Sequence, residues 1–237
     1  MKTITLTVCN RPDYTAQCLD ALSRNDVRGY ELFICCEPDQ AETLAVCQKH
    51  SAFMPTQIIV HKERLGINYN NKAMYDLVFK AGSEFNVALE DDGILSPDAF
   101  DLVQWWFRRF RNEPEPLLLC LAGGFDETRP LDVEEEIGFF RSPWGHCFGC
   151  GSWQFWLKPY WNWKQDHPHG WDHSISTMMK NKGLKALYPA LSRCHNIGRE
   201  KGVYCTPEVH DQLFAGQKWA TGEYGNDFRL VRQEVAA

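Results

Sequence analysis

Val87-Ala88-Leu89-Glu90-Asp91-Asp92-Gly93-Ile94-Leu95-Ser96-Pro97-Asp98 is an apolar run that empties into three consecutive carboxylates and then meets a helix-start signal. An acidic triplet alone reads as a solvated turn. Preceded by a buried-type strand, it falls at the carboxyl end of that strand, where open α/β sheets keep their ligand crevice. Hard oxygen ligands at such a rim suit Mn2+ or Mg2+, which commonly bind through one or two carboxylates plus the phosphates of a substrate. After the acids, Ser96 reads as an N-cap and Pro97 as the first helical residue, and Phe100, Val103, Phe107 and Phe110 recur at spacings of three and four. That stripe is core.

Upstream, strand and helix alternate. Ile4, Leu6 and Val8 mark a first strand, and the loop Cys9-Asn10-Arg11-Pro12-Asp13 leads into a helix carrying Cys18, Leu19 and Leu22. Leu32 to Cys36 is a second strand, followed by Glu37 and a helix whose Asp39 and Glu42 have capping-box spacing. Gln57 to Val60 is a third, and a helix with Met74, Leu77, Val78 and Ala81 on one face precedes the fourth, Phe85 to Leu89. This order predicts an α/β fold with a largely parallel sheet covered on both faces. Leu117 to Leu121 reads as one more strand, after which the alternation stops. The division expected is a nucleotide-binding α/β half over residues 1–122 and a smaller, irregular acceptor-binding half over 123–237, within one compact domain. In the second half six tryptophans, Trp144 to Trp171, fall within 28 positions, a density that fills an irregular core or lines a pocket for sugar rings.

Composition narrows the class. The chain has 237 residues, 44% of them hydrophobic, enough for a substantial core. No stretch reaches the ~18 consecutive apolar residues of a membrane span, and the start alternates like a strand, so a cytoplasmic protein is expected. A net charge of -6 without a long basic run argues against binding nucleic acid chiefly through phosphates. The ten cysteines are expected to remain thiols. Cys147 and Cys150, with His146 before them, form a C-x-x-C pair without a second pair at zinc-ribbon spacing, which leaves a structural zinc poorly supported.

The E-D-D cluster followed by Ser96-Pro97-Asp98-Ala99-Phe100, then Trp171-Asp172, then Ser192-Arg193 and Gly198-Arg199 with Lys201-Gly202-Val203, resembles in its order the GT-A glycosyltransferases. The nearest type is the N-acetylglucosaminyltransferase I type, inverting and metal-dependent enzymes that use a UDP-sugar. The likeness runs from about Ile4 to Phe214. It implies a GT-A fold and a DxD-like motif in which Asp92 holds the cation bridging the phosphates, while Asp91 and Glu90 face ribose and donor sugar. Arg11, Glu37, Asn70 and Asn71 fall at nucleotide-contacting positions. Asp172 is implied as the general base, with Trp171 pressed against a sugar ring. The basic, glycine-containing stretch from Ser192 to Val203 is implied as a lid over the diphosphate, with Arg193, Arg199 and Lys201 balancing the leaving-group charge and His195 as a second candidate metal ligand. The acceptor loop corresponds to Ser142 to Trp153, with Trp144, His146 and Trp153 as sugar-binding candidates. This loop departs most from the family, so the acceptor is left open among a glycan, a protein, a small molecule or a modified DNA base. Family members of the Golgi carry a membrane anchor, and a bacterial or viral cytosolic enzyme is the better fit here.

Two other functions compete. A sugar-phosphate nucleotidyltransferase would want a glycine-rich loop after the first strand, and residues 9 to 13 contain no glycine. A noncatalytic carbohydrate-binding or zinc-stabilised interaction module would use the tryptophans and the Cys pair, but leaves the acids and the basic stretch without a common purpose.

Overall fold

The computed structural model describes residues 1–110, 118–123, 136–140, 150–153, 171–184, 186–202, 206–214, 216–222 and 228–231. The first half is the predicted alternation: β1 (Lys2–Val8), α1 (Pro12–Ser23), β2 (Tyr30–Cys36), α2 (Ala41–His50), β3 (Thr56–Val60), α3 (Gly66–Lys80) and β4 (Phe85–Glu90). β1 lies between β2 and β4, β3 flanks β2, and all three pairings are parallel. Strands inside a parallel sheet are buried on both faces, and β1, β2 and β4 are buried almost throughout, β1 with threonines alternating with its apolar residues. Successive side chains go to opposite faces. Leu32 and Ile34 join Leu19, Leu22, Phe100 and Trp106 on one side, while Phe33 and Cys35 join Met74, Val78, Ile175 and Met179 on the other.

The chain continues with β5 (Gly93–Leu95), α4 (Ala99–Phe110), β6 (Leu118–Cys120), β7 (Glu136–Phe140), β8 (Cys150–Trp153), α5 (Trp171–Lys182), β9 (Ala186–Pro189), β10 (Cys194–Asn196), α6 (Pro207–Phe214) and β11 (Arg229–Val231). Among the described residues the main sheet has nine strands in the order β11-β7-β9-β6-β8-β4-β1-β2-β3. β8 runs antiparallel between β4 and β6, so the two halves of the chain interleave in one sheet. The sheet is largely parallel: in the second half β6 pairs with β9 and β11 with β7 in parallel, and the antiparallel pairings are those of β8 with its two neighbours and of β7 with β9. β5 and β10 form a separate antiparallel pair.

Local expectations shift in three places. α4 begins at Ala99 and not at Pro97, because Ser96 donates its hydroxyl to Asp98 at 2.6 Å and closes a turn first. α2 is capped at Gln40 without a side-chain bond, and Asp39 instead takes a left-handed backbone with φ of 61°. Leu77 is exposed, and the covered side of α3 is built from Asn70, Asn71, Met74, Tyr75, Val78 and Phe79.

Asp98 does more than start a helix. It is fully buried and receives the Arg193 Nε at 3.2 Å, while the Arg193 backbone bonds to Leu121 and Ser96. A charge without a partner at such a site would be costly, so the pair fixes where β10 meets the start of α4. Among the described residues Cys9, Cys18, Cys35, Cys36, Cys47, Cys120 and Cys194 are free thiols. No helix among them is long and apolar enough to cross a membrane.

Candidate active site

Register brings the site together. Thr7 is level with Glu90 and Val8 with Cys36, so the parallel strands β1, β2 and β4 end at one rim. Arg11, Glu37 and the Glu90-Asp91-Asp92 cluster follow those strand ends directly. Arg11 lies across two of the acids, with Nη1 2.8 Å from Asp92 Oδ2 and Nη2 bonded to Asp91 Oδ1. Asp91 Oδ2 also accepts from the Cys9 amide at 3.4 Å and the Thr15 hydroxyl at 3.5 Å.

The electrostatics follow from burial. Burial opposes the charge of Arg11, but the carboxylates of Asp91 and Asp92 outweigh it and raise the guanidinium above its ordinary value. Burial, reinforced by the charge of Asp92, pushes Glu90 up to about 8 even though the Trp171 indole donates to it. Asp91 is pushed up to about 6, again first by burial, with Arg11 pulling the other way. Three adjoining acids at this rim call for positive charge. One oxygen is open to it: Asp92 Oδ1 is buried and has no hydrogen-bond partner. Among the described residues no three or more His, Cys, Asp or Glu form a protein cage for a metal. A carboxylate oxygen without a partner is nevertheless the kind of donor that Mg2+ or Mn2+ takes, where substrate and water complete the remaining ligands.

The second half closes over the acids. β10 pairs Asn196 with Gly93, and the Ile197 amide donates to the Asp92 carbonyl at 2.8 Å. A Cβ on Gly198 would sit 2.4 Å from Asp92 Oδ2 and 3.0 Å from Asn196 Oδ1. Only glycine lets the chain pass this close. Gly198→Ala is therefore expected to displace either the Asp92 carboxylate or the 197–202 turn, at a stability cost of about 1–3 kcal/mol, typical of an overpacked site. Denaturant unfolding checks it, and wild-type stability would contradict the close approach.

The expected lid is anchored along its length. Ser192 bonds to Lys218 and Ala220, Arg193 to Leu121, residues 194–196 lie in the β5–β10 ladder, and the Ile197 amide is tied to the Asp92 carbonyl. Arg193 is held by Asp98, away from the open rim. Arg199 is exposed and pairs with Asp211 of α6 through two bonds of 2.8 Å. Lys201 accepts Arg11 Nη1 on its carbonyl at 3.4 Å, and its ammonium lies 5.8 Å from the Tyr14 ring, which also faces Arg11 at 5.7 Å. Tyr14 is a rim residue that no sequence motif marks. The His195 ring is taken up by Gln217 at 3.3 Å and stacks on Trp219 with centroids 4.9 Å apart. It pairs with Ile94, one register position away from the Asn196–Gly93 pair beside Asp92.

Glu37 presents an open acceptor: Oε2 takes the Leu65 amide at 2.8 Å, and Oε1 is buried without a hydrogen-bond partner. Asn70 bonds to His61 at 3.0 Å and Asn71 to the Ile67 carbonyl at 3.0 Å, and both are buried behind the rim. Trp171 is likewise buried, with Nε1 2.8 Å from Glu90 Oε1 and its ring 6.0 Å from that of Tyr75. It is a core ring and not an open platform for a sugar. Asp172 follows it in the first turn of α5, half-buried, and its charge contributes to holding the proton on Glu90. Trp144, His146 and Cys147 lie outside the described residues, as do the side chains of Cys150 and Trp153.

Residues 2–111 match the model of the family described as "Glycosyltransferase like family 2". No curated protein matches the chain. Among solved structures the chain is similar to the mannosyltransferase PcManGT from Pyrobaculum calidifontis in complex with GDP-Man and Mn2+, with 15% identity and a TM-score of 0.65 over 86% of this chain and 58% of that one. It is also similar to residues 1–349 of S. aureus TarS, with 12% identity and a TM-score of 0.58 over 79% of this chain and 60% of that one. For the same TarS fragment in complex with UDP-GlcNAc the values are 11% and 0.61, over 90% and 64%. The chain spans roughly three fifths of the length of these structures. At such identities the likeness is one of fold, and that fold is GT-A.

Proposed function

We propose that this protein is a glycosyltransferase that moves a sugar from a nucleoside diphosphate sugar, by our reading a UDP-sugar, to an acceptor hydroxyl with inversion and with the help of Mn2+ or Mg2+. The observation that carries the reading is the convergence, at the ends of β1, β2 and β4, of Arg11, the open Glu37 oxygen and the open Asp92 oxygen. Support comes from the family match over residues 2–111 and from the nucleotide sugars named with the GT-A neighbours. The ordered motifs that continue through Trp171-Asp172 and Gly198-Arg199 favour the N-acetylglucosaminyltransferase I type.

In this reading Glu37 accepts from the base of the nucleotide, and Asp92 holds the cation beside the diphosphate. The cation, when bound, would stabilise the negative charge that gathers on the departing diphosphate. Arg11 and Lys201 add positive charge on the same side. Asp172 takes the proton from the acceptor hydroxyl as its oxygen attacks the anomeric carbon in line. One acceptor-side carboxylate suffices for this, whereas glycoside hydrolysis would want two carboxylates flanking the bond.

The test is a panel of UDP-, GDP- and other nucleotide sugars measured for thermal stabilisation with Mn2+ and with EDTA. A ligand at 100 times its Kd should add about 2.7 kcal/mol. The expected result is stabilisation by a UDP-sugar in Mn2+ only. A panel that leaves the melting temperature unchanged would remove the reading, and pyrophosphate release from UTP plus a sugar phosphate would replace it with a nucleotidyltransferase.

A further inference from the structure

We infer that Asn71 and Glu90 form a buried strut that acts through the Trp171 indole to position Asp172, so that Glu90 is a positioning residue for the base and not a ligand of the donor. The inference rests on the proposed role of Asp172. Its geometry stands apart from that role.

The strut links four elements, β1, α3, β4 and α5. Thr7 at the end of β1 donates to Asn71 Oδ1 at 3.5 Å, Asn71 Nδ2 reaches Glu90 Oε1 at 3.4 Å, and the same Glu90 oxygen accepts Trp171 Nε1 at 2.8 Å. Asn71, Glu90 and Trp171 are all buried, at 2%, 8% and 3% exposure. Bonds of this kind exchange little with water and fix their partners in one arrangement. Trp171 is the first residue of α5, the Ser174 hydroxyl bonds back to its carbonyl at 2.5 Å, and its ring packs on Tyr75 of α3. Position and orientation of the first turn are thereby set from the strand that carries the acids, and Asp172 is the next residue along that turn.

A base offset by about 1 Å from its proton loses on the order of 10^2 in rate. Ile175 and Met179 pack α5 against the sheet, and the indole bond adds a directed tie to β4 at the residue next to Asp172, so the placement of the base relative to the acids at the rim is sensitive to that bond. Glu90→Gln keeps a carbonyl oxygen for the indole, Glu90→Ala removes it, and Trp171→Phe keeps an apolar ring against Tyr75 while removing the N–H.

The experiment uses the full chain labelled with 15N. The Trp171 indole resonance is the one lost in Trp171→Phe, and its exchange with solvent is followed in the Glu90 variants. Expected results are a slowly exchanging indole in wild type and Glu90→Gln and an exchange at least about tenfold faster in Glu90→Ala. In transfer assays Glu90→Ala and Trp171→Phe should each lower kcat by about 10^2, with Mn2+-dependent UDP affinity within about threefold of wild type. Glu90→Gln should recover most of the rate, and the double variant should be no worse than either single one, as residues acting as one unit behave. Unchanged indole exchange in Glu90→Ala would overturn the strut. Multiplicative losses in the double variant, or a loss of UDP affinity in Glu90→Ala, would overturn the positioning role and return Glu90 to the donor. Wild-type protein that binds no nucleotide would instead strike down the functional reading, and the catalytic part of the inference with it, while the indole exchange still decides whether the strut exists.

Discussion

Asp92→Ala is expected to erase the difference between UDP binding in Mn2+ and UDP binding in EDTA. The argument starts from the open oxygen: Asp92 Oδ2 is engaged by Arg11 at 2.8 Å, and Oδ1 is buried with no hydrogen-bond partner. A buried, uncompensated acceptor is costly unless something completes it. Asp91 cannot take over, because one of its oxygens is bonded to Arg11 and the other accepts from Cys9 and Thr15. Glu90 cannot either, held as it is by Trp171 and Asn71. At an effective dielectric near 20, opposite unit charges 4 Å apart attract by about 4 kcal/mol, so removing one carboxylate from a cation is expected to cost roughly 10^2 or more in affinity even after water intervenes. Calorimetry with UDP, with and without Mn2+, reads the difference. If Asp92→Ala retained the metal dependence, the cation would have to be held elsewhere on the rim.

The site and the fold were legible in the sequence to different depths, for physical reasons. The strands and helices of the first half announce themselves because each buries one face or two within its own span, and the acids stand next to one another in the chain. The second half joins elements that are remote in sequence. β8 enters between β4 and β6, and strands of three to five residues such as β6 and β7 are too short to show a period. The basic residues illustrate the same limit. Arg11, Arg193 and Arg199 look alike in sequence, yet Arg11 spans two acids at the rim, Arg193 is buried against Asp98 and Arg199 reaches out to Asp211. Only the partner distinguishes them, and these acids lie 12 positions from Arg199 and 95 from Arg193. Gly198 shows the converse. It reads as a flexible point in a lid, and the structure gives it a different reason, the 2.4 Å that a Cβ would leave to Asp92.

Asp172→Asn is expected to leave nucleotide binding nearly intact while transfer collapses by 10^2 to 10^4, the range over which a positioned general base contributes. Asn has the shape of Asp and keeps an oxygen that can accept a helix-capping bond, but it cannot hold a proton at neutral pH. Asp172 lies in the first turn of α5, where a carboxylate also favours the helix dipole. If that were its whole role, the substitution would cost a few tenths of a kcal/mol of stability and leave the rate alone, because Asn serves at helix starts about as well as Asp. The structure adds a constraint that the sequence lacked. Asp172 adjoins Trp171, whose indole is anchored on Glu90, and its charge is felt by Glu90, so it stands within electrostatic reach of the acid cluster. A base for in-line attack has to lie near the donor yet off the cation, and Asp172 is half-buried beside the cluster while Asp91 and Asp92 are occupied by Arg11. Steady-state transfer to an identified acceptor, paired with UDP titrations in Mn2+, separates the two roles. Turnover within a few-fold of wild type in Asp172→Asn would end its claim as the base and move the search to Glu90, Asp91 and Asp166, the last of which lies outside the described residues.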